Sequence, residues 1–468
     1  MANNQNIIDL ENKRIGPLLA KLSIPTTIGM LANSLYNIVD TIFIGKGVGT
    51  LAIAGIGIVF PVQMIIMALA QLIGLGSASM ISRNLGKKDY DRAGLVTGNS
   101  FIAITLLGII ISAVVFVFMN PILKLFGATE SILPYARDYL FIIAFGFVFF
   151  PFMVSTNNLI RAEGNAKTSM IILLLATVSN IILDPIFIFV FKLGIKGAAY
   201  ATIIAQFIGF TYTILFFLRR KSVIPIKAHH FKLKFPVIKE MTGLGLASFI
   251  KQVSSSFLII LVNNSLRVYG GEIAIAAYSV VNRIVMFVTM PLFGIVSGVQ
   301  PMIGYNYGAM NMSRVKESLK ISILSTTVIG LFFSIVFLAF PAPVIRLFSN
   351  DPELISSGVF PLRMIILLFT LIGFQIIGAG FFQSIGKAIP SIILSLTRQI
   401  LYLLPLILFL PLLWGVNGIW MAFPVADLLA IITTGIFLYR ELKKINKLEL
   451  EYRFSSLLPD NSQNNHYN

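Results

Sequence analysis

Asn84–Arg92 reads NLGKKDYDR, and Asn306–Arg314, 222 residues later, reads NYGAMNMSR. Asn84, Gly86 and Arg92 thus fall under Asn306, Gly308 and Arg314, and the same offset sets LAIA at Leu51 under IAIA at Ile273, Phe126 under Phe348 and Gly164 under Gly386. Near the end of each half the offset slips to 221, where GIKG at Gly194 meets GVNG at Gly415. A register kept over so long a stretch is the mark of an internal duplication, and it divides the 468 residues into two equivalent halves.

Each half is too apolar for water. Hydrophobic residues make up 57% of the chain and charged residues 12%, with a mean hydropathy of +0.88. About 20 apolar residues cross a bilayer core as a helix, and twelve such stretches can be marked. They run over about 17–44, 51–80, 96–119, 134–158, 168–192 and 196–218, then about 243–268, 274–303, 318–340, 358–381, 390–413 and 417–440. The fold class expected is all-α integral membrane, with twelve transmembrane helices in two six-helix lobes related by a pseudo-twofold axis. An even number of spans per half sends both halves across the membrane in one direction, so the axis lies along the membrane normal. Transporters of this build hold substrate between the repeats near the midplane. The expected divisions are an N-lobe over 1–220, a basic linker over 221–237, a C-lobe over 238–442 and a polar tail over 443–468.

The net charge of +17 is informative through its placement. Lys13, Arg14, Lys21, Arg83, Lys87, Lys88, Arg92, Arg161, Lys167, Arg314, Lys316, Lys320 and Lys387 fall in loops of one side. The basic runs over 219–239 and 440–453 fall there too. The opposite side holds Lys46, Lys124, Lys192, Lys196, Arg267 and Arg346. The positive-inside bias puts both termini and the linker in the cytoplasm, and the linker RRKSVIPIKAHHFKLKFPVIK suits anionic headgroups rather than nucleic acid. The polar start, MANNQNIIDLENKR, is not followed by a small-residue cleavage site, so the first span reads as a retained helix. With no cysteine, disulfide and thiol chemistry are excluded.

Asp40, Asp184 and Asp427 fall inside apolar spans. An ionisable residue there costs about 2.5–3.5 kcal/mol at a helix centre on insertion scales, which makes it a candidate functional group. Asn33, Tyr36, Asn37 and Asp40 follow i, i+3, i+4, i+7 spacing and share one helix face. Thr177, Asn180 and Asp184 repeat the pattern in the fifth span, with Pro185 next, where a lost backbone hydrogen bond would kink the helix. Thr202 and Gln206 are four apart in the sixth, and Asn157 adds an amide from the fourth. Polar side chains of this kind can hold helices together by hydrogen bonds. Two neighbouring carboxylates, however, need a proton or a cation to coexist, and hard oxygen donors suit small hard ions. The second half has Val262 in place of Asp40, and Leu406 or Pro405 in place of Asp184. Asp427 has no second acid in its half and could pair with Lys251, Arg283, Arg363 or Arg398.

Enzymatic chemistry finds no footing. The histidines, His229, His230 and His466, lie outside the spans; there is no HExxH helix and no GxxxxGK[ST] phosphate loop. Asp184, in LDPIF, lacks the glycine-flanked motif of an aspartyl intramembrane protease.

YNIVDTIFIG from Tyr36, IRAEGNAKTSMI from Ile160, NIILDPIFIF from Asn180, GIKGAAYATIIAQ from Gly194, AYSVVNRIVMF from Ala277 and GVQPMIGYNYGA from Gly298 together resemble the multidrug and toxic compound extrusion (MATE) family. The nearest likeness is the bacterial branch that holds the DNA-damage-inducible F-like transporters. The resemblance covers about residues 15–442. It implies a V of two lobes that opens alternately to each side and exports cationic or amphipathic drugs in exchange for H⁺ or Na⁺, with no other cofactor. It also implies a cation site, possible for Na⁺, at the positions that are Asp40, Asn180, Asp184 and Thr202. Around it a secondary network of Tyr36, Asn37, Asn157 and Gln206 is expected. Pro25 matches a helix-1 proline linked to lobe rearrangement. A monomer in the bacterial cytoplasmic membrane, surrounded by lipid, completes the expectation. A lipid-linked glycan flippase of the same superfamily is the alternative, and a channel or receptor the alternative from another class.

Overall fold

The computed structural model describes residues 2–457, with the side chains at 2–4, 36–38, 41, 46, 50 and 452–457 outside the description. Among the described residues the regular structure is helical. The first half holds α1 (Ala2–Asn12), α2 (Ile15–Gly47), α3 (Thr50–Gly86), α4 (Tyr90–Leu125), α5 (Leu133–Phe145), α6 (Phe149–Ala162), α7 (Ala166–Pro185) and α8 (Ile195–Leu218). The second holds α9 (Phe235–Gly308), α10 (Met312–Ala339), α11 (Pro341–Arg346), α12 (Pro352–Ile366), α13 (Phe369–Ser384), α14 (Ala388–Leu396) and α15 (Leu404–Leu457).

Eight helical stretches are long and apolar enough to cross a membrane, and ten if the bent pairs α5–α6 (51°) and α12–α13 (47°) each make one span. The 74 residues of α9 would reach roughly 110 Å if straight, several times a bilayer core. They turn instead at Gly271, whose φ of 68° leaves the helical region. Trp414 and Gly415 break α15 in the same way. Counting these two helices as hairpins gives the expected twelve spans. The spans expected over 134–158 and 358–381 are each bent at a short break.

The duplication is written in the backbone. Left-handed residues recur at Gly49 and Gly271, Lys88 and Met310, and Gly164 and Gly386, each 222 apart, and at Gly194 and Gly415, 221 apart. Asp89 caps α4 by accepting from the Arg92 N–H at 2.9 Å, and Asn311, its repeat, caps α10 from Arg314 at 3.2 Å. A Cβ on Gly86 would strike the Tyr305 carbonyl, and one on Gly308 the Arg83 carbonyl. These two contacts exchange under the repeat, so the pseudo-twofold axis passes between them, and only glycine permits the approach.

Three apolar cores explain the two-lobed shape. One lies within the first half, among Ile44, Val59, Tyr139, Ile188 and Ala198. A second lies within the other half, among Val262, Tyr278, Leu362 and Trp420. The third draws Leu22, Met80 and Ile160 together with Met241, Met302 and Phe381 from both halves, at the end that carries α1 and the linker. Arg83 and Arg92 pair there with Glu240 at 3.2 and 3.3 Å, and Arg314 donates to the Lys13 carbonyl at 2.8 Å. The lobes are therefore joined at the linker end and keep separate cores at the other.

Candidate functional site

Asp40 sits one turn before Ile44 on α2, and Asp184 one turn before Ile188, so both carboxyls lie at the edge of the N-lobe core. Asp40 is 8% exposed and Asp184 0%, and the two carboxyls lie near enough to act on each other electrostatically. Two buried carboxyls this close coexist only when a proton or a cation offsets their repulsion. The i, i+4 step within α7 lets the Asn180 amide donate to Asp184 Oδ1 at 3.4 Å, and the same amide donates to Thr202 Oγ1 on α8 at 3.3 Å. Three helices thus bring together the four residues Asp40, Asn180, Asp184 and Thr202. Asp40 Oδ1, Asn180 Oδ1 and Asp184 Oδ2 are buried without a hydrogen-bond partner, a donor set of hard oxygens. No Lys or Arg is among the described salt-bridge partners of either acid.

The helix does not end at Pro185 but loosens into a π turn over Ile186–Val190. Such turns add one residue to the helical circuit and occur often at functional sites. Here the turn begins only after Pro185, so Asn180 and Asp184 keep ordinary helical register.

The other expected residues scatter. Tyr36 and Asn37 fall outside the described side chains, and Asn33 is exposed. Thr177 is buried one turn before Asn180. Gln206 keeps a buried, unpartnered Oε1 that points at Gly146, in the break between α5 and α6. Asn157 is bound elsewhere: its amide donates to the Ser169 carbonyl at 2.9 Å and its oxygen accepts from the Ser169 hydroxyl at 2.7 Å, stapling α6 to α7. Pro25 lies half-buried inside an otherwise continuous α2.

In the C-lobe, Val262 is buried in the core where Asp40 has its counterpart. Of the four cations that could pair with Asp427, Arg398 does so, Nε to Oδ1 at 2.5 Å, while Arg283 and Arg363 are exposed.

Sequence reasoning missed how the linker docks. The His230 ring is fully buried in a notch over Gly94 and Gly98 of α4. Its Nδ1 accepts from the Lys227 N–H at 3.1 Å, which assigns the ring proton to Nε2, 3.0 Å from Asp91 Oδ1. His229 Nε2 also lies 3.3 Å from that oxygen. The tautomer makes this an Asp–His latch rather than a metal site, since a metal would need the Nε2 lone pair. The Gly-x-x-x-Gly step at 94 and 98 was the available signal.

Two duplicated six-span lobes, joined at one end, with an acid pair held at membrane depth in one lobe, define a membrane transporter. The MatE family model matches residues 25–186 and 246–408, one stretch in each half. The chain belongs to the MATE family. It is 29% identical over 424 residues to the multidrug export protein MepA of Staphylococcus haemolyticus, covering 91% of this chain and 93% of that one. The MepA of Staphylococcus aureus strain MSSA476 is 28% identical over 436 residues, 93% and 96% of the two chains. An outward-facing MATE-family multidrug resistance transporter of the MOP superfamily superposes with a TM-score of 0.88 at 26% identity, over 94% of this chain and 98% of that one. A MATE structure in a straight conformation gives 0.88 at 27% identity, covering 94% and 99%, and one in a bent conformation 0.88 at 26%, covering 95% and 99%. Members of this family are transporters, not enzymes.

Proposed function

We propose that this chain is a secondary active multidrug exporter that extrudes amphipathic organic cations in exchange for H⁺ or Na⁺. The reading places it in the bacterial cytoplasmic membrane, with both termini cytoplasmic, and in the DNA-damage-inducible F-like branch. The observation that carries it is the burial of Asp40 and Asp184 beside one another in the apolar spans, without a basic partner among the described residues. A cation arriving from outside binds the pair and favours the conformation that releases drug; its departure to the cytoplasm resets the protein. Coupling requires only that the two conformations differ in cation affinity. Asn180 serves both states. Its amide nitrogen supports the acids when they share a proton, and rotation of the amide would present Oδ1 to a metal cation beside Thr202 Oγ1. Pro25 supplies a point at which α2 can bend.

The test is drug efflux from proteoliposomes under separately imposed Na⁺ and H⁺ gradients. Concentrative efflux driven by one of them supports the reading. Flux that only dissipates the drug's own gradient would assign the protein to the channels and overturn it.

A further inference from the structure

The interior of the C-lobe carries the opposite charge. Asp427 on α15 is 2% exposed and meets Arg398 with one oxygen only; its Oδ2 has no hydrogen-bond partner. The Asp427 contact uses Nε, and among the described residues no hydrogen bond engages the terminal Nη fork of Arg398, the edge that can bind a carboxylate through two parallel bonds. Arg398 itself lies in the second π turn, Thr397–Leu403. Lys251 on α9 is within electrostatic reach of Arg398, and its Nζ stands 4.4 Å from the centroid of the Phe293 ring. No carboxylate pairs with Lys251 among the described residues. One turn further along α9, Ser255 accepts from the Gln399 amide at 2.8 Å, which fixes the π turn against the Lys251 face.

Two cations against one anion leave a net positive charge at a depth where unneutralised charge is costly. The cluster also borders the other lobe. The Gln252 amide reaches Met64 Sδ on α3 at 3.6 Å, and Gly294, next to Phe293, packs on Thr27 of α2. A molecule held between the lobes would meet this cluster on its C-lobe side.

We infer that Lys251 and the Nη fork of Arg398 form an anion-recognition site that takes the carboxylate of an amphipathic zwitterionic substrate, with Asp427 positioning the guanidinium and Phe293 facing the substrate's apolar body. The inference rests on the export reading and narrows its substrate class from cations to molecules bearing both signs.

The experiment compares a rhodamine dye carrying a free benzoate with its methyl ester, which lacks the anion but keeps the ring system. Binding of each to the full-length protein in phosphatidylcholine nanodiscs is read by fluorescence polarisation at neutral pH. Wild type is expected to hold the acid at least as tightly as the ester. Lys251→Met should lower the acid-to-ester affinity ratio about tenfold, as expected for loss of a charge-assisted contact, and Lys251→Arg should recover most of it. The double change Arg398→Met with Asp427→Asn removes the pair without stranding a charge and should lower the ratio as well. A wild type that binds the ester but not the acid overturns the anion site and leaves the export reading standing, as does an unchanged ratio in both variants. Binding of neither dye overturns the export reading and the site with it.

Discussion

The two lobes share a backbone and differ in what they bury. Left-handed turns, helix caps and glycine crossings recur at the repeat offset, yet the N-lobe buries two acids against each other and the C-lobe buries one acid against an arginine. The difference separates what the fold needs from what the function uses. Features required for two lobes to meet at an axis are kept in both halves. Charges at membrane depth are not, because each costs stability and persists only where it is neutralised or used. In the C-lobe Arg398 is built in as the neutraliser of Asp427. In the N-lobe it has to be a proton or a cation, and that is the property an exchanger requires.

The largest effect expected is on transport through the N-lobe. Asp40→Asn and Asp184→Asn should each bring ion-driven efflux to background while the protein remains folded and membrane-inserted, as checked by size-exclusion chromatography and efflux at matched expression. Wild-type transport by both would erase the distinction between the lobes. Asp427→Asn should fail differently. It leaves Arg398 without its carboxylate, for which breaking a buried pair costs about 3–5 kcal/mol, so thermal stability should drop while cation-driven efflux persists. The double change with Arg398→Met should recover stability. A loss of coupling equal to that of Asp40→Asn would move part of the ion site into the C-lobe.

A smaller effect sharpens the account of the N-lobe cage. Asn180→Ala and Thr202→Ala should weaken cation-dependent efflux without removing it, and Asn180→Ala combined with Asp184→Asn should depart from additivity by about 0.5–3 kcal/mol, as neighbours in one network do. Efflux across a series of Na⁺ concentrations at two pH values measures it, and additive effects would reduce these residues to separate packing polars.

The smallest effect is at the linker, outside the membrane. Burial pushes the Glu163 carboxyl up to about 8, against the opposing hydrogen bonds from the Ser222 hydroxyl at 2.7 Å and the Val223 N–H at 3.0 Å. Its folded value lies above the unfolded one, so the folded state holds the proton more tightly. Its contribution therefore falls as pH rises through about 8 and is greatest below the ordinary carboxyl range. Glu163→Gln, which stays neutral, should flatten the melting-temperature profile between the ordinary carboxyl range and about pH 8. An unaltered profile would contradict the assignment.

Much of this arrangement could be read from the chain. Asn84 against Asn306 and Gly164 against Gly386 gave the duplication, and the i, i+4 step from Asn180 to Asp184 gave the shared face, because both precede the π turn and keep the 3.6-residue period. The partner of Asp427 could not be read in that way. Arg398 lies inside a π turn, where the extra residue in the circuit rotates the side chain away from the face that regular periodicity assigns. The breaks after α5 and α12 were hidden in apolar runs with no proline at either hinge, and His230 was hidden in a linker whose basic composition suggested only a surface. Asn157 shows the opposite limit: a polar residue in an apolar span, bound to Ser169 and stapling two helices.

Cation binding by the purified protein tests the difference between the lobes most directly. Uptake of ²²Na⁺, and of protons by indicator dye in weakly buffered solution, should be measured for the wild type and for Asp40→Asn, Asp184→Asn and Asp427→Asn. The account predicts saturable binding of one of the two cations by the wild type and by Asp427→Asn, and its loss in both N-lobe variants. Undiminished binding by Asp40→Asn and Asp184→Asn, or its loss in Asp427→Asn alone, would contradict it.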